Sequence, residues 1–102
     1  MINNFHVNNP WFLQVNFSGP HNPFDAPEEL LENWEDVEFP SPVANDDDLT
    51  EEQHQKIRRN YAAEIQGIDE WVGKIIEEVK RRGELENTLI VYASDHGEML
   101  ED

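Results

Sequence analysis

The chain has 102 residues, enough for one small domain or part of a larger one, with 37% hydrophobic and 29% charged residues. Twenty-three Asp and Glu against seven Lys and Arg give a formal charge of -16, which argues against nucleic acid or anionic membrane as a partner, since both would be repelled. Cysteine is absent, which excludes disulfides, thiolate metal sites and a cysteine nucleophile on this chain, and no apolar stretch approaches the ~20 residues of a membrane span.

Met1 to Asn9 is polar and Asn-rich, and His6 within it reads as an exposed histidine with no role. Pro10 opens Trp-Phe-Leu-Gln-Val-Asn-Phe. Trp11, Leu13, Val15 and Phe17 fall on one face and Phe12, Gln14 and Asn16 on the other, which predicts a first strand over 11–17. It runs into Ser18-Gly19-Pro20-His21-Asn22-Pro23, a dense run of turn residues that carries His21 away from the strand's C-terminal end.

Residues 22–49 read as a long, mostly irregular loop. Pro27 to Trp34 suits a short helix, with Pro27 at the first helical position and acids in the first turn. Phe39-Pro40-Ser41-Pro42 forces extended backbone, and Asn45 to Asp48 is a solvated acidic run. Phe24, Trp34 and Phe39 suggest that the loop folds down as a binding wall; a flexible linker is the other reading.

Thr50-Glu51-Glu52-Gln53 is a capping-box pattern that starts a helix over 51–82. Ile57, Tyr61, Ile65, Ile68, Val72, Ile75 and Val79 recur every three or four residues as one apolar stripe, and Lys80-Arg81-Arg82-Gly83 supplies terminal cations and a glycine past the end. At ~48 Å such a helix is about twice the length of a seven-residue strand, so it is expected to overhang a sheet or to break near Gly67. Trp71 and Tyr61 read as packing residues, Gly73 as a point of close approach, Asp69 as a local hydrogen-bonding group and His54 as solvent-facing.

Leu89 to Ala93 is an unbroken apolar run rich in β-formers, and a second strand is predicted over 88–94, buried on both faces as in parallel sheets. The chain then turns polar at Ser94, Asp95, His96 and Gly97. A carboxylate and an imidazole at a strand end make a pair of metal ligands or acid/base groups. Strand, crossover helix and strand predict an α/β fold, a right-handed parallel βαβ unit. That places His21, Asp95 and His96 along one sheet rim, with Asp46 to Glu52 close by.

Three stretches together resemble the sulfatase family: Pro10 to Phe24, with its strand running into Pro-His-Asn-Pro; Tyr61 to Gly73 on the long helix; and Asn-Thr-Leu-Ile-Val-Tyr-Ala-Ser-Asp-His-Gly-Glu from Asn87 to Glu98. The resemblance implies an alkaline-phosphatase-like hydrolase whose larger, doubly wound sheet would contain the βαβ unit. It implies a divalent cation, usually Ca2+, with Asp95 and His96 among its ligands; the imidazole keeps Mn2+ and Zn2+ open. It further implies that His21 contacts the sulfate group of a sulfate ester substrate and assists the leaving oxygen, and that the nucleophile is a formylglycine made from Cys or Ser in a Cys/Ser-x-Pro-x-Arg motif. That motif is not found on this chain, nor is an Asp-Asp pair at the end of an early strand. The chain therefore reads as a fragment of a sulfatase catalytic domain, expected to be inactive without the remainder of that domain. A phosphoester or phosphonate hydrolase of the same superfamily and a non-catalytic acidic interaction domain are the alternatives. Glu98 reads equally as a support for the ligands or as a solvated carboxylate.

Overall fold

The computed structural model describes residues 2–6, 9–44, 48–100 and 102. Its axis is the helix Glu51–Arg81, which we call α2. The start is chemically defined: Thr50 accepts from the Gln53 backbone N–H, and the Gln53 side chain accepts from the Thr50 N–H at 2.8 Å. The end is equally local, with Lys80 and Arg81 in the last turn and Gly83 at φ +72°, left-handed backbone that a glycine adopts without steric cost. The helix passes through Gly67 unbroken. A Cβ there would lie 2.9 Å from Leu30 Cδ1, so the missing side chain is the space that Leu30 occupies. Thirty-one residues at about 1.5 Å each account for most of the 56 Å long axis of the molecule.

A short helix α1 (Glu28–Leu31) and a 3-10 turn (Glu32–Trp34) pack on α2, with Pro27 at the N-cap rather than inside the first turn. The loop that contains them is fastened by polar side chains of α2. Trp34 Nε1 donates to Gln66, Phe39 exchanges hydrogen bonds with the Gln55 side chain through both its N–H and its carbonyl, and Arg59 donates to the Val37 carbonyl. Phe24 meets Tyr61 edge-on and Trp34 stacks on Phe39. Asp46 and Asp47, part of the acidic stretch expected near the site, lie outside the described residues.

At the far end, Arg82 gathers the chain. It donates to the Ile2 and Phe5 carbonyls and to both carboxylate oxygens of Glu84, while Trp11 Nε1 donates to Glu84 as well.

The predicted α/β architecture is not found. Among the described residues there is no strand and no sheet; the regular elements are α-helical or 3-10. Segments 11–17 and 88–94, predicted as the parallel strands of a βαβ unit within a doubly wound sheet, are irregular. The reason is that a strand is made by its neighbour. β-composition favours a pleated backbone, but the ladder needs a second backbone in register, and neither segment has one among the described residues. The apolar run is accordingly exposed, Leu89 at 89% and Val91 at 77%. Three smaller expectations also fail. His54 is buried; Trp71 is 58% exposed, with Lys74 Nζ 4.4 Å from its ring centre; and Gly73 has no neighbour where a Cβ would point. The apolar stripe stays half-buried apart from Val79, which is buried, and Ile65, which is exposed, because the helix meets only one layer of chain.

Candidate functional site

Segments 11–17 and 88–94 form the walls of an open groove of about 1320 Å3, with Tyr61 and Ile68 of α2 at its base. His21, Asp95 and His96 all line this groove, His21 from the turn that follows one wall and the other two from the turn that follows the second. The three side chains singled out in the sequence thus line one groove. Glu98 lines the groove too.

Each histidine is oriented by its own backbone. His21 Nδ1 lies 2.6 Å from the Asn22 carbonyl and His96 Nδ1 lies 2.9 Å from the Gly97 carbonyl. A carbonyl only accepts, so Nδ1 carries the proton in both rings and Nε2 is left as the lone-pair atom of the neutral form. In the second turn Asp95 Oδ1 accepts the His96 N–H, and Ser94 Oγ donates to the His96 carbonyl. Asp95 Oδ2 and His96 Nε2 are 3.8 Å apart, with side chains 92% and 67% exposed. The Gly97 hydrogen bond, the Asp95 carboxylate and the Glu98 charge hold the His96 pKa above its ordinary 6.5.

The turns are placed by α2 through residues that the sequence reading passed over. Glu64 accepts the Asp25 N–H at 3.1 Å and Asn60 accepts the Ala26 N–H at 3.1 Å, so two side chains one helical turn apart fasten the segment after His21. Gly19 belongs to the same contact, since a Cβ there would meet Glu64 Oε2 at 2.9 Å. Burial pushes the Glu64 carboxyl above its ordinary 4.5, against the Asp25 hydrogen bond, and the Asp25 charge adds to the rise. Arg58 fastens the segment after His96 through Asp102 and the Leu100 carbonyl. One signal was available: Asn60 is a poor helix former in mid-helix, and such a residue there is often held by a specific hydrogen bond.

The described residues contain no group of three or more His, Cys, Asp or Glu able to hold a metal. Asp95 and His96 can supply one oxygen and one nitrogen donor, part of a coordination shell.

Comparison with known proteins follows the same lines. The family model described as Sulfatase matches residues 2–102. The choline-sulfatase of Rhizobium meliloti (strain 1021) is 35% identical over 89% of this chain and 22% of its own length. The arylsulfatase of Clostridium perfringens (strain 13 / Type A) is 27% identical over 91% of the chain and 23% of its own. The multifunctional alkaline phosphatase superfamily protein PehA of Trinickia caryophylli is 26% identical over 91% and 24%. The chain thus spans less than a quarter of the length of these curated relatives. No solved structure is a significant match. With a family match running from Ile2 to Asp102 and relatives aligned along nine-tenths of the sequence, the chain belongs to the sulfatase family.

Proposed function

We propose that this chain is the part of a sulfuric ester hydrolase that delivers two metal ligands, Asp95 and His96, and a sulfate-contacting histidine, His21. The observation that supports the reading is the convergence of these three side chains, from opposite ends of the sequence, on one groove. A carboxylate and an imidazole 3.8 Å apart suit a shared divalent ion. Ca2+ is the first candidate, and the nitrogen donor leaves Mn2+ and Zn2+ in play. In this reading the remaining ligands and the formylglycine nucleophile come from the rest of the protein. Bound there, the cation supplies stabilisation of negative charge on the transferred group.

His21 works from its free nitrogen. Nδ1 is committed to the Asn22 carbonyl, so in the imidazolium form Nε2 carries the second proton and is the atom that can donate to an anionic oxygen and pass that proton to the departing alcohol. The negative charge of this chain, -16 overall, repels an anionic substrate; the cation, His21 and basic groups supplied from elsewhere in the protein offset it.

The test uses the full-length protein and para-nitrophenyl sulfate beside the matching phosphate and phosphonate esters. Sulfate-ester turnover is expected. His21→Ala should lower kcat by about 10²–10⁴-fold, the range for loss of a general acid. Asp95→Asn should remove the response to added divalent ion. The 102-residue chain alone should turn over nothing. A phosphoester or phosphonate hydrolase is the second reading, favoured by the similarity to the alkaline phosphatase superfamily protein and by the imidazole ligand. Turnover of those esters well above the sulfate would select it.

A further inference from the structure

The hydrogen bonds inside the Asp95–His96 turn are local, linking Ser94, Asp95, His96 and Gly97 to one another. They shape the turn without fixing where it stands. The fastening comes just afterwards. Arg58 of α2 is 7% exposed and spreads its guanidinium over two acceptors: Nη2 and Nη1 reach the Asp102 carboxylate at 2.7 and 3.2 Å, and Nη2 reaches the Leu100 carbonyl at 3.1 Å. Leu100 itself takes φ +51°, a left-handed turn, and its carbonyl faces the helix. Asn60 and Glu64 hold the segment after His21 from another flank of α2, about 200° around the helix from Arg58 in the case of Asn60. One rigid element therefore holds both turns by separate fastenings. Phe24 from the one segment and Glu98 and Leu100 from the other line a cavity of about 160 Å3 beside Arg58 and His54.

We infer that Arg58 is a positioning residue: it sets the stand of the Asp95–His96 turn relative to His21, and so the distance between the ligand pair and the group that contacts the transferred anion. The inference rests on the proposed roles of those three residues. Arginine is required because a planar fork spans a carboxylate and a carbonyl together, whereas a lysine ammonium is a single point of charge.

The experiment takes the full-length protein with Arg58→Ala, Arg58→Lys and, as controls, Asn60→Ala and Asp95→Asn. For Arg58→Ala, kcat on an aryl sulfate should fall by about 10²-fold, the scale of a misplaced reacting group, with KM changed by less than about threefold. Exchange of the Asp102 amide, which donates to the Met99 carbonyl, should speed up while that of the Asp25 and Ala26 amides does not; Asn60→Ala should give the opposite pattern. Millimolar guanidinium should restore part of kcat to Arg58→Ala without raising its melting temperature, and Arg58→Lys should recover less than the wild-type rate. Two results overturn the inference while leaving the function intact: kcat within about twofold of wild type in Arg58→Ala while Asp95→Asn is inactive, or a loss that follows melting temperature alone with no guanidinium rescue. If Asp95→Asn keeps both turnover and divalent-ion binding by calorimetry, the site reading itself fails and the inference with it.

Discussion

Glu64 runs against the other paired acids of this chain. Glu84 and Asp102 are held below their ordinary values, first by hydrogen bonds to Arg82 and Arg58. Each therefore adds stability above its unfolded value that is lost as the pH falls through the folded one. Burial raises Glu64 instead. Between 4.5 and its raised value the folded chain holds more protons than the unfolded one, so its contribution to stability falls as the pH rises through that window. Glu64→Gln keeps an oxygen for the Asp25 N–H and removes the charge. It should raise the denaturant midpoint near neutral pH, and the gain should vanish below about pH 4, where both states of the wild type are protonated. At this scale the sequence is uneven as a guide. Ser-Asp-His-Gly is legible because the chemistry lies in four consecutive residues. Arg58 is not, because its acceptors are 42 and 44 positions away, and a buried guanidinium looks the same in sequence as a solvated one. His54 misleads for the same reason.

Helix α2 shows what local chemistry can settle at the level of elements. Its capping box, apolar recurrence, terminal cations and Gly83 all act within a few residues, so each can be read before any tertiary contact is known. Gly83 is the position where the backbone demands a particular residue. Gly83→Ala places a Cβ on left-handed backbone and should lower stability by ~1 kcal/mol, measured as a fall in denaturant midpoint at unchanged slope. The segments 11–17 and 88–94 mark the opposite case. Alternation and β-branching describe a side-chain pattern that suits a sheet, but a ladder is a contact between two backbones. Composition holds no information about whether the second backbone is there. The loop between them was open to two readings, wall or linker. Its aromatic and polar contacts with α2 run from Phe24 to Phe39 and place that stretch against the helix.

For the whole molecule, the helix serves as a spine with chain fastened to it at both ends. Arg82 and Glu84 tie down the starts of both groove walls, through Phe5 and Trp11 on one side and Thr88 on the other. Arg58, Asn60 and Glu64 tie down the far ends beyond His21 and His96. Between these fastenings each wall is unsupported, and that has a consequence measurable without ligand or substrate. In this chain the main-chain amides of Phe12 to Phe17 and of Leu89 to Ala93 should trade hydrogen for deuterium nearly as fast as an unstructured peptide, since none donates to another described group. The amides of Asp25, Ala26 and Phe39, each capped by a helix side chain, should lag well behind. Mass spectra of the labelled chain would then trace two quick stretches bracketed by slow ones, the signature of a slot whose sides are pinned at their ends and slack along their length.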